Sequence, residues 1–411
     1  MSVTDSELTR RRLLGGTGIA AGGLLAGCLG GPSAGDSNGS AGGGPANGTD
    51  GTNDTGDEGD GSYTVTLSPV GDVEFDAVPE SVMAYSPHYA DMAVAFGHGA
   101  SVNSLGFTDG YGETAAYFYD ALDGVSFEVD GLTQLFNEGM DKEVYYELDS
   151  DVHLMDPCWA MTFDAWSEAD VEDVRRDVGP WFGNRYSRQH SEPPEGCRDG
   201  YEYYSLWELC GKVADVFRER ERFEALSAMH DDLIGTIESA LPPEDERPTV
   251  GQVAFYDERF SPYRINGPGF GRAHTAPLGA RDVFADSDRT YAENYEASYD
   301  FEGMLEYDPD VVLHHFAITP FYEFDSILET VRDHPVGSQL SAVENDRFYA
   351  SGTAFQGPIV NLFQLEMTAK QLYPDLFGEW PGYEDGDSYP EVPEDERLFD
   401  RDELATVVRG E

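Results

Sequence analysis

Lysine is nearly absent from this sequence of 411 residues, which contains only Lys142, Lys212 and Lys370. Lysine and arginine together number 25 against 79 acidic residues, so the formal net charge is -54. The acids are spread through every segment, and such a surface would repel the phosphates of a nucleic acid. It is also typical of proteins that work in near-saturating salt, where ions screen the repulsion between acids. We therefore exclude nucleic acid as a partner and infer a halophilic, archaeal source.

The N-terminal apolar segment, residues 13–26, is too short to span a bilayer. Three arginines, residues 10–12, precede it, and Leu-Ala-Gly-Cys at 25–28 closes it. This pattern resembles a twin-arginine export signal with a lipobox. The resemblance implies removal of residues 1–27 and a lipid on Cys28 that anchors the protein to the outer face of the cytoplasmic membrane. The alternative is a weakly hydrophobic signal anchor with a fortuitous cysteine.

Motifs of hydrolytic enzymes are missing or misplaced. H-E-x-x-H is absent, and the G-x-S-x-G match at residues 31–35 overlaps a second at 35–39, both in a tract rich in Gly, Ser, Asn and Asp. That tract, residues 28–62, has no apolar periodicity and is predicted to be a disordered tether, so it cannot form a nucleophile elbow. We expect a protein without catalytic activity, and a secreted hydrolase is the less favoured alternative.

Cysteine is scarce, with Cys158, Cys197 and Cys210 following Cys28. Their spacing fits no C-x-x-C or zinc pattern. Outside the cell two of the three can form a disulfide, which leaves the third as a buried thiol or a ligand. The spacing alone does not choose the pair.

The segment 205–241 contains no proline, and its apolar residues recur at steps of three and four, which predicts a long helix. A charge run at 218–222 marks a potential break in it. The motif E-x-D-x-D-V-x-L occurs before the helix, from Glu147, and after it, from Glu306. We interpret the two copies as corresponding parts of two α/β lobes, residues 63–204 and 242–380, joined by the helix and followed by an acidic tail, 381–411, that wraps or frays. The alternative is two unrelated helix-to-strand junctions.

The stretch VPESVMAYSPHYADMAVAFGHGASVNSLG, residues 78–106, resembles the opening of the metal-chelate class of ABC-transporter substrate-binding proteins. That family binds iron siderophores, haem, cobalamin or bare metal ions. Residues 142–157, 298–314 and 335–377 agree with its later segments, whereas 107–141 and 163–204 match weakly. The resemblance implies an α/β fold with two Rossmann-like lobes joined by one rigid helix, and a ligand cleft between the lobes.

Ligands of open α/β sheets sit outside the carboxyl ends of the strands, which points to the loops after each predicted strand. The predicted ligand-binding residues are Ser86, His88, Tyr89, Trp159, Tyr256, Arg259, Tyr263, Arg264, His314, His315, Phe316 and Gln356. Aromatic rings would stack on an organic chelate, and arginines suit its negative charge. The alternatives are that His88, Tyr89 and Trp159 only pack and that the arginines only pair with neighbouring acids. Adjacent histidines on a strand point to opposite faces, so at most one of His314 and His315 would face the cleft.

By the resemblance, the protein is a monomeric, cofactor-free component of an ABC importer. It would capture an iron(III)-siderophore, haem or cobalamin and deliver it to a membrane permease. The alternative is direct binding of an iron, zinc or manganese ion by His88, His153 and either His314 or His315. The family docks onto its permease through one acidic residue on each lobe. Asp91 falls at the first of these positions, and Ala273 stands at the second, which leaves that half of the docking open.

Overall fold

Two sheets, each built around parallel strands, organise the chain in a computed structural model that describes residues 61–137, 139–285 and 297–411. The predicted signal, Cys28 and almost the whole tether lie outside these ranges. Residues Tyr63–Glu411 form one compact unit. Within the described ranges, no helix has the length and apolar character needed to cross a membrane.

The first lobe starts with an antiparallel hairpin and continues with a parallel sheet in the order β5-β4-β3-β6. Its strands are β1 (Tyr63–Leu67), β2 (Gly71–Phe75), β3 (Val82–Ala84), β4 (Val102–Leu105), β5 (Thr133–Gln134) and β6 (Val152–Leu154). Its helices are α1 (Pro87–Ala95), α2 (Tyr111–Tyr119), α3 (Lys142–Leu148), α4 (Pro157–Ala160) and α5 (Glu168–Asp177). Strand β3 is buried throughout, as expected for a central parallel strand.

The connecting segment consists of two helices, α6 (Leu206–Phe217) and α7 (Arg220–Ala240). The single long helix predicted over 205–241 is therefore wrong, and the break falls in the charge run that marked a potential break. Arg218 adopts a left-handed conformation with φ 58°, and its N–H closes α6 on the carbonyls of Ala214 and Asp215. The apolar stripe of α7 is buried as predicted, because it packs against both α6 and the last long helix of the chain.

The second lobe has a mixed sheet in the order β11-β10-β7-β8, with β9 also paired to β7. Its strands are β7 (Thr249–Tyr256), β8 (Arg259–Tyr263), β9 (Arg281–Asp282), β10 (Val311–His314) and β11 (Phe348–Ala350). The helices that follow α7 are α8 (Phe301–Tyr307), α9 (Phe324–Asp333), α10 (Ser341–Glu344), α11 (Pro358–Leu372), α12 (Pro374–Phe377) and α13 (Arg401–Arg409). All pairings are parallel except that of β7 with β8.

The two copies of E-x-D-x-D-V-x-L form the same junction. In each copy the first aspartate ends a helix, α3 or α8, at a positive φ. The second aspartate then caps the start of the neighbouring parallel strand: Asp151 accepts the N–H of Ser81 at 2.9 Å, and Asp310 accepts that of Thr249 at 2.8 Å. This shared role favours two related α/β units over two unrelated junctions.

Helix α11 and the acidic tail bind the two lobes together. Every residue of α11 is buried, and the helix packs against α1 and α2 of the first lobe. In the tail, Arg401 donates to the buried carboxylate of Glu366 on α11 at 2.7 Å, and Arg409 donates to the carbonyl of Asp123. The tail therefore wraps onto both lobes and ends in an ordered helix.

Candidate ligand cleft between the two lobes

Loops of the two lobes contact each other directly. Trp181 pairs in parallel with His153 of β6, so the chain leaves the first sheet at the same edge as β6 does. The segment that follows reaches the second lobe, where the N–H of Gly271 donates to the carbonyl of Arg188 at 2.7 Å and that of Phe270 to Ser187 at 3.2 Å. The predicted cleft therefore lies between these loops.

Arginines and histidines from both lobes converge there. We call Arg185, Arg188, Arg272, His88, His274 and His315 the cleft cluster. Arg188 is 2% exposed, and its guanidinium carbon lies 4.0 Å from the ring centre of Phe355 in the second lobe. Arg185 lies 3.9 Å above the ring of Trp159. Aromatic rings thus hold both guanidinium groups in place.

The histidines of the cleft cluster are held neutral. Burial, and then the charges of Arg188 and Arg185, lower the pKa of His88 well below its usual value. Burial also lowers the pKa of His315, helped by neighbouring His274, His314, Arg272 and Arg188. At neutral pH the positive charge of the cluster therefore comes from guanidinium groups, while the imidazoles offer uncharged donors and acceptors.

Buried polar atoms without partners and aromatic rings lie beside the cleft cluster. Neither ring nitrogen of His88 has a hydrogen-bond partner among the described residues, and the same holds for the hydroxyl of buried Tyr85. The ring of Tyr85 packs edge-on against Trp159 at 4.4 Å, and half-buried Phe107 and Phe163 extend this aromatic wall. Tyr85 and Trp159 belong to a buried hydrophobic cluster of the first lobe, against which Phe107 and Phe163 pack.

Several of the predicted binding residues lie among the contacts between the lobes. His88 contacts the rings of Phe270 and Phe355 in the opposite lobe at 5.4 and 6.4 Å. His315 and Phe316 follow β10, and the ring of Tyr263 packs against His315 at 4.5 Å. Trp159 supports Arg185, as described above.

Other predicted residues are buried, and most of them form hydrogen bonds with other parts of the chain. The Tyr89 hydroxyl accepts the N–H of Asn184 at 2.8 Å, and Nε2 of His314 accepts that of Phe255 at 2.9 Å. The buried amide of Gln356 donates to Nδ1 of His274 at 2.9 Å. Ser86 is buried at the N-cap of α1. Tyr89 is therefore a buried residue of the packed interior, which agrees with the alternative that it only packs.

The arginines predicted from the hairpin have partners within the second lobe, which agrees with the alternative that they only pair with neighbouring groups. Arg259 is exposed and donates to the hydroxyl and carbonyl oxygens of Ser298 at 2.7 and 2.6 Å. Nε of Arg264 lies 3.7 Å from the carboxylate of Asp282. Half-buried Tyr256 lies beside them on the hairpin. Arg272, whose Nε donates to the carbonyl of Arg264, is the second-lobe guanidinium near His315.

Asp91 cannot dock to a permease in this structure. Its side chain has 0% exposure, because α2 and α11 cover it. A fully buried carboxylate cannot form an ion pair with an arginine of another protein, so the docking assignment is wrong.

The histidines of the bare-ion alternative are not brought together. His153 lies in the first-lobe core, where Nδ1 contacts the carbonyl oxygens of Gly179 and Pro180 at 3.1 and 3.2 Å. Both nitrogens of His314 have backbone partners. Among the described residues, no three His, Cys, Asp or Glu side chains form a group that could hold a metal ion.

The cysteine pairing is also determined. Cys158 and Cys197 form a disulfide, and Cys210 is a buried thiol. The bond joins helix α4, which carries Trp159, to the segment that follows Arg188.

Sequence reasoning missed Arg185, Arg188 and His274. The first two lie in the region 163–204, where the family resemblance is weak. One sequence pattern could have indicated these two arginines: they follow the apolar pair Trp181–Phe182 within six positions. Two arginines so close together are unusual in a chain poor in cations. His274 carried no such signal, because its neighbours in the cleft cluster, Gln356 and His315, are distant in sequence.

Solved structures share this fold. A periplasmic binding protein from Veillonella parvula matches with a TM-score of 0.56 at 15% identity, over 79% of this chain and 95% of that one. An iron uptake ABC transporter substrate-binding protein from Streptococcus pneumoniae gives 0.52 at 12% identity, over 74% and 96%. A periplasmic solute binding protein from Mycobacterium smegmatis gives 0.52 at 15% identity, over 77% and 100%.

No family model matches the sequence, and the search of curated proteins returned no significant match. The structural likeness shows that the chain has the two-lobed fold of the periplasmic substrate-binding proteins. The two-lobed α/β fold expected from the resemblance is confirmed, although two helices rather than one connect the lobes.

Proposed function

We propose that this chain is the extracytoplasmic substrate-binding component of an ABC importer and captures an anionic metal chelate for a membrane permease. An iron(III)-siderophore with catecholate or carboxylate groups fits best, and haem, with its propionates, or cobalamin is the next choice. The cleft cluster carries this proposal. A chain with 25 basic residues and a net charge of -54 gathers three arginines where its two lobes meet.

Guanidinium groups suit an anionic ligand, in addition to partners within the chain such as buried Asp156 beside Arg185. An arginine presents its donors in a planar fork that matches a carboxylate or a catecholate pair. The neutral imidazoles and the aromatic wall beside Trp159 would contact the organic part of the same ligand. Direct binding of a bare ion has less support, because it needs several converging ligand side chains.

The proposal includes export by the twin-arginine route and a lipid anchor on Cys28. The disulfide between Cys158 and Cys197 supports an oxidising compartment outside the cytoplasm. Cys28→Ser should abolish both the processing of residues 1–27 and the partition into membranes. An anchored, processed Cys28→Ser protein would contradict the lipoprotein assignment.

Calorimetric titration in molar KCl tests the ligand. The wild type is titrated with a ferric tris-catecholate, a neutral ferric trihydroxamate, haem, cobalamin and free divalent ions. Arg188→Ala and Arg272→Ala should each weaken binding of the tris-catecholate at least about tenfold, which corresponds to 1.4 kcal/mol. Arg259→Ala is the matched control and should stay within about twofold, because this arginine is exposed and bonded to Ser298.

Equal affinity of all three variants would refute the assigned cleft. Binding of free ions without binding of any chelate would instead establish the bare-ion alternative.

A further inference from the structure

Asp91 joins the two lobes at a buried point. One carboxylate oxygen accepts the hydroxyl of Tyr119 on α2 at 2.5 Å. The other faces the N-terminus of α11 and accepts the N–H of Val360 at 3.3 Å. The backbone N–H groups of Gly357 and Ile359 also stabilise its charged form. A carboxylate of the first lobe therefore caps a helix that begins in the second lobe, and its partner Val360 lies 269 positions later.

The contact between Asp91 and α11 leaves no space for a side chain at position 357. A Cβ atom added at Gly357 would lie 2.5 Å from the Asp91 carboxylate and 2.9 Å from the carbonyl oxygen of His88. Glycine is thus required here by the close approach of α1 to the start of α11.

The loop that enters α11 lines the cleft. Phe355 lies under Arg188 at 4.0 Å. The Gln356 amide nitrogen donates to His274 at 2.9 Å and to the carbonyl of Phe270 at 3.2 Å. Because Gly357 follows directly, any shift of the first turn of α11 moves both side chains. The position of Asp91 is thereby linked to Arg188 on one side of the cleft and to His274 on the other.

We propose that Asp91 is a positioning residue of the ligand cleft, which holds the first turn of α11 and thereby sets the Phe355–Gln356 loop against Arg188 and His274. The part of this inference that concerns ligand rests on the proposed function, whereas the contact itself can be tested without ligand.

The surroundings of Asp91 fit this role. Tyr111 and Tyr119 face it from α2, and Cys210 faces it from α6. Burial raises its pKa to about 6, opposed by the Tyr119 and backbone hydrogen bonds. At pH 7.5 the carboxylate is therefore ionised and accepts the N–H groups of α11 as a charged partner.

The first measurement is amide hydrogen exchange across residues 351–362 of the full-length protein without ligand. Asp91→Ala should speed exchange in the first turn of α11 at least about tenfold. Asp91→Asn should stay within about threefold, because its carbonyl can accept from Val360 while its amide donates to Tyr119. Gly357→Ala should also speed exchange, since the added methyl group displaces the carboxylate.

Asp310→Ala is the matched control. Asp310 also accepts a backbone N–H, that of Thr249, but it does so at the start of β7 and away from α11. This variant should leave exchange in residues 351–362 unchanged. Unchanged exchange in Asp91→Ala would overturn the proposal, and if that variant fails to fold, unchanged exchange in Gly357→Ala would do the same.

The second measurement is calorimetric titration with the ferric tris-catecholate at pH 7.5. We expect at least about tenfold weaker binding by Asp91→Ala, rescue by Asp91→Asn and no change in Asp310→Ala. Faster exchange with unchanged affinity would overturn the role in positioning the cleft. A wild type that does not bind the probe would refute the proposed ligand alone, while the exchange data would still decide whether Asp91 holds α11.

Discussion

Loss of the disulfide between Cys158 and Cys197 should lower the free energy of unfolding by about 4 kcal/mol. The two cysteines are 39 positions apart. The chain-entropy relation for a closed loop of about 40 residues gives about 4 kcal/mol at 25 °C. The bond also restrains the part of the cleft built on Trp159 and the segment that carries Arg185 and Arg188.

The measurement is urea unfolding in molar KCl, followed by tryptophan fluorescence. The test protein is the double variant Cys158→Ala/Cys197→Ser. The control is Cys210→Ala, which keeps the bond and removes the buried free thiol at a typical cost of about 1 kcal/mol. If the double variant lost no more stability than this control, the bond would be absent from the protein or its loop already restricted in the unfolded chain.

Two further predictions concern buried charges. The pKa of Asp91 is raised to about 6, against an ordinary 3.8, so the folded protein binds this proton more tightly than the unfolded chain does. The stability that protonated Asp91 contributes is therefore complete below pH 3.8 and is lost as pH rises through 6. The wild type should therefore gain about 1 kcal/mol relative to Asp91→Asn between pH 7.5 and pH 5 in urea unfolding, and an equal response of both would contradict this. Arg401→Ala should cost about 3 kcal/mol in the same assay, because it leaves the carboxylate of Glu366 buried without its ion pair. The exposed pair of Arg332 and Asp346 is the control, and Arg332→Ala should cost less than about 1 kcal/mol; equal losses would refute the assignment.

Local patterns in the sequence were sufficient to predict most of the fold. Apolar runs indicated β3, β7 and β10, and the periodic segment after Ser205 indicated the helical connection. The repeated acidic motif indicated two related units, because each copy contains both a helix end and a cap for the neighbouring strand. The break at Arg218 was visible as a charge run, but sequence alone did not determine that the backbone turns left-handed there.

Residues whose role depends on distant contacts could not be predicted in the same way. Arg188 reaches the cleft because Trp181 adds to the edge of the first sheet, a pairing without a local signature. Asp91 was assigned to docking from its position in a local motif, whereas α11, far away in sequence, packs over its helix. Arg259 and Arg264 were predicted from their hairpin position, whereas their side chains follow nearby acceptors, Ser298 and Asp282. In each case a contact between segments far apart in sequence decides where the side chain lies.

The acidic surface and the arginine-lined cleft act over different distances. A net charge of -54 would repel an anionic ligand during its approach in dilute buffer, where the screening length reaches ~30 Å at 0.01 M. At 1 M salt that length falls to ~3 Å, so the surface acids no longer oppose the encounter. Buried Arg188 is screened much less, because little solvent or salt reaches it. Concentrated salt would therefore favour the proposed capture of an anion, and it would also screen the repulsion between the acids of the folded chain.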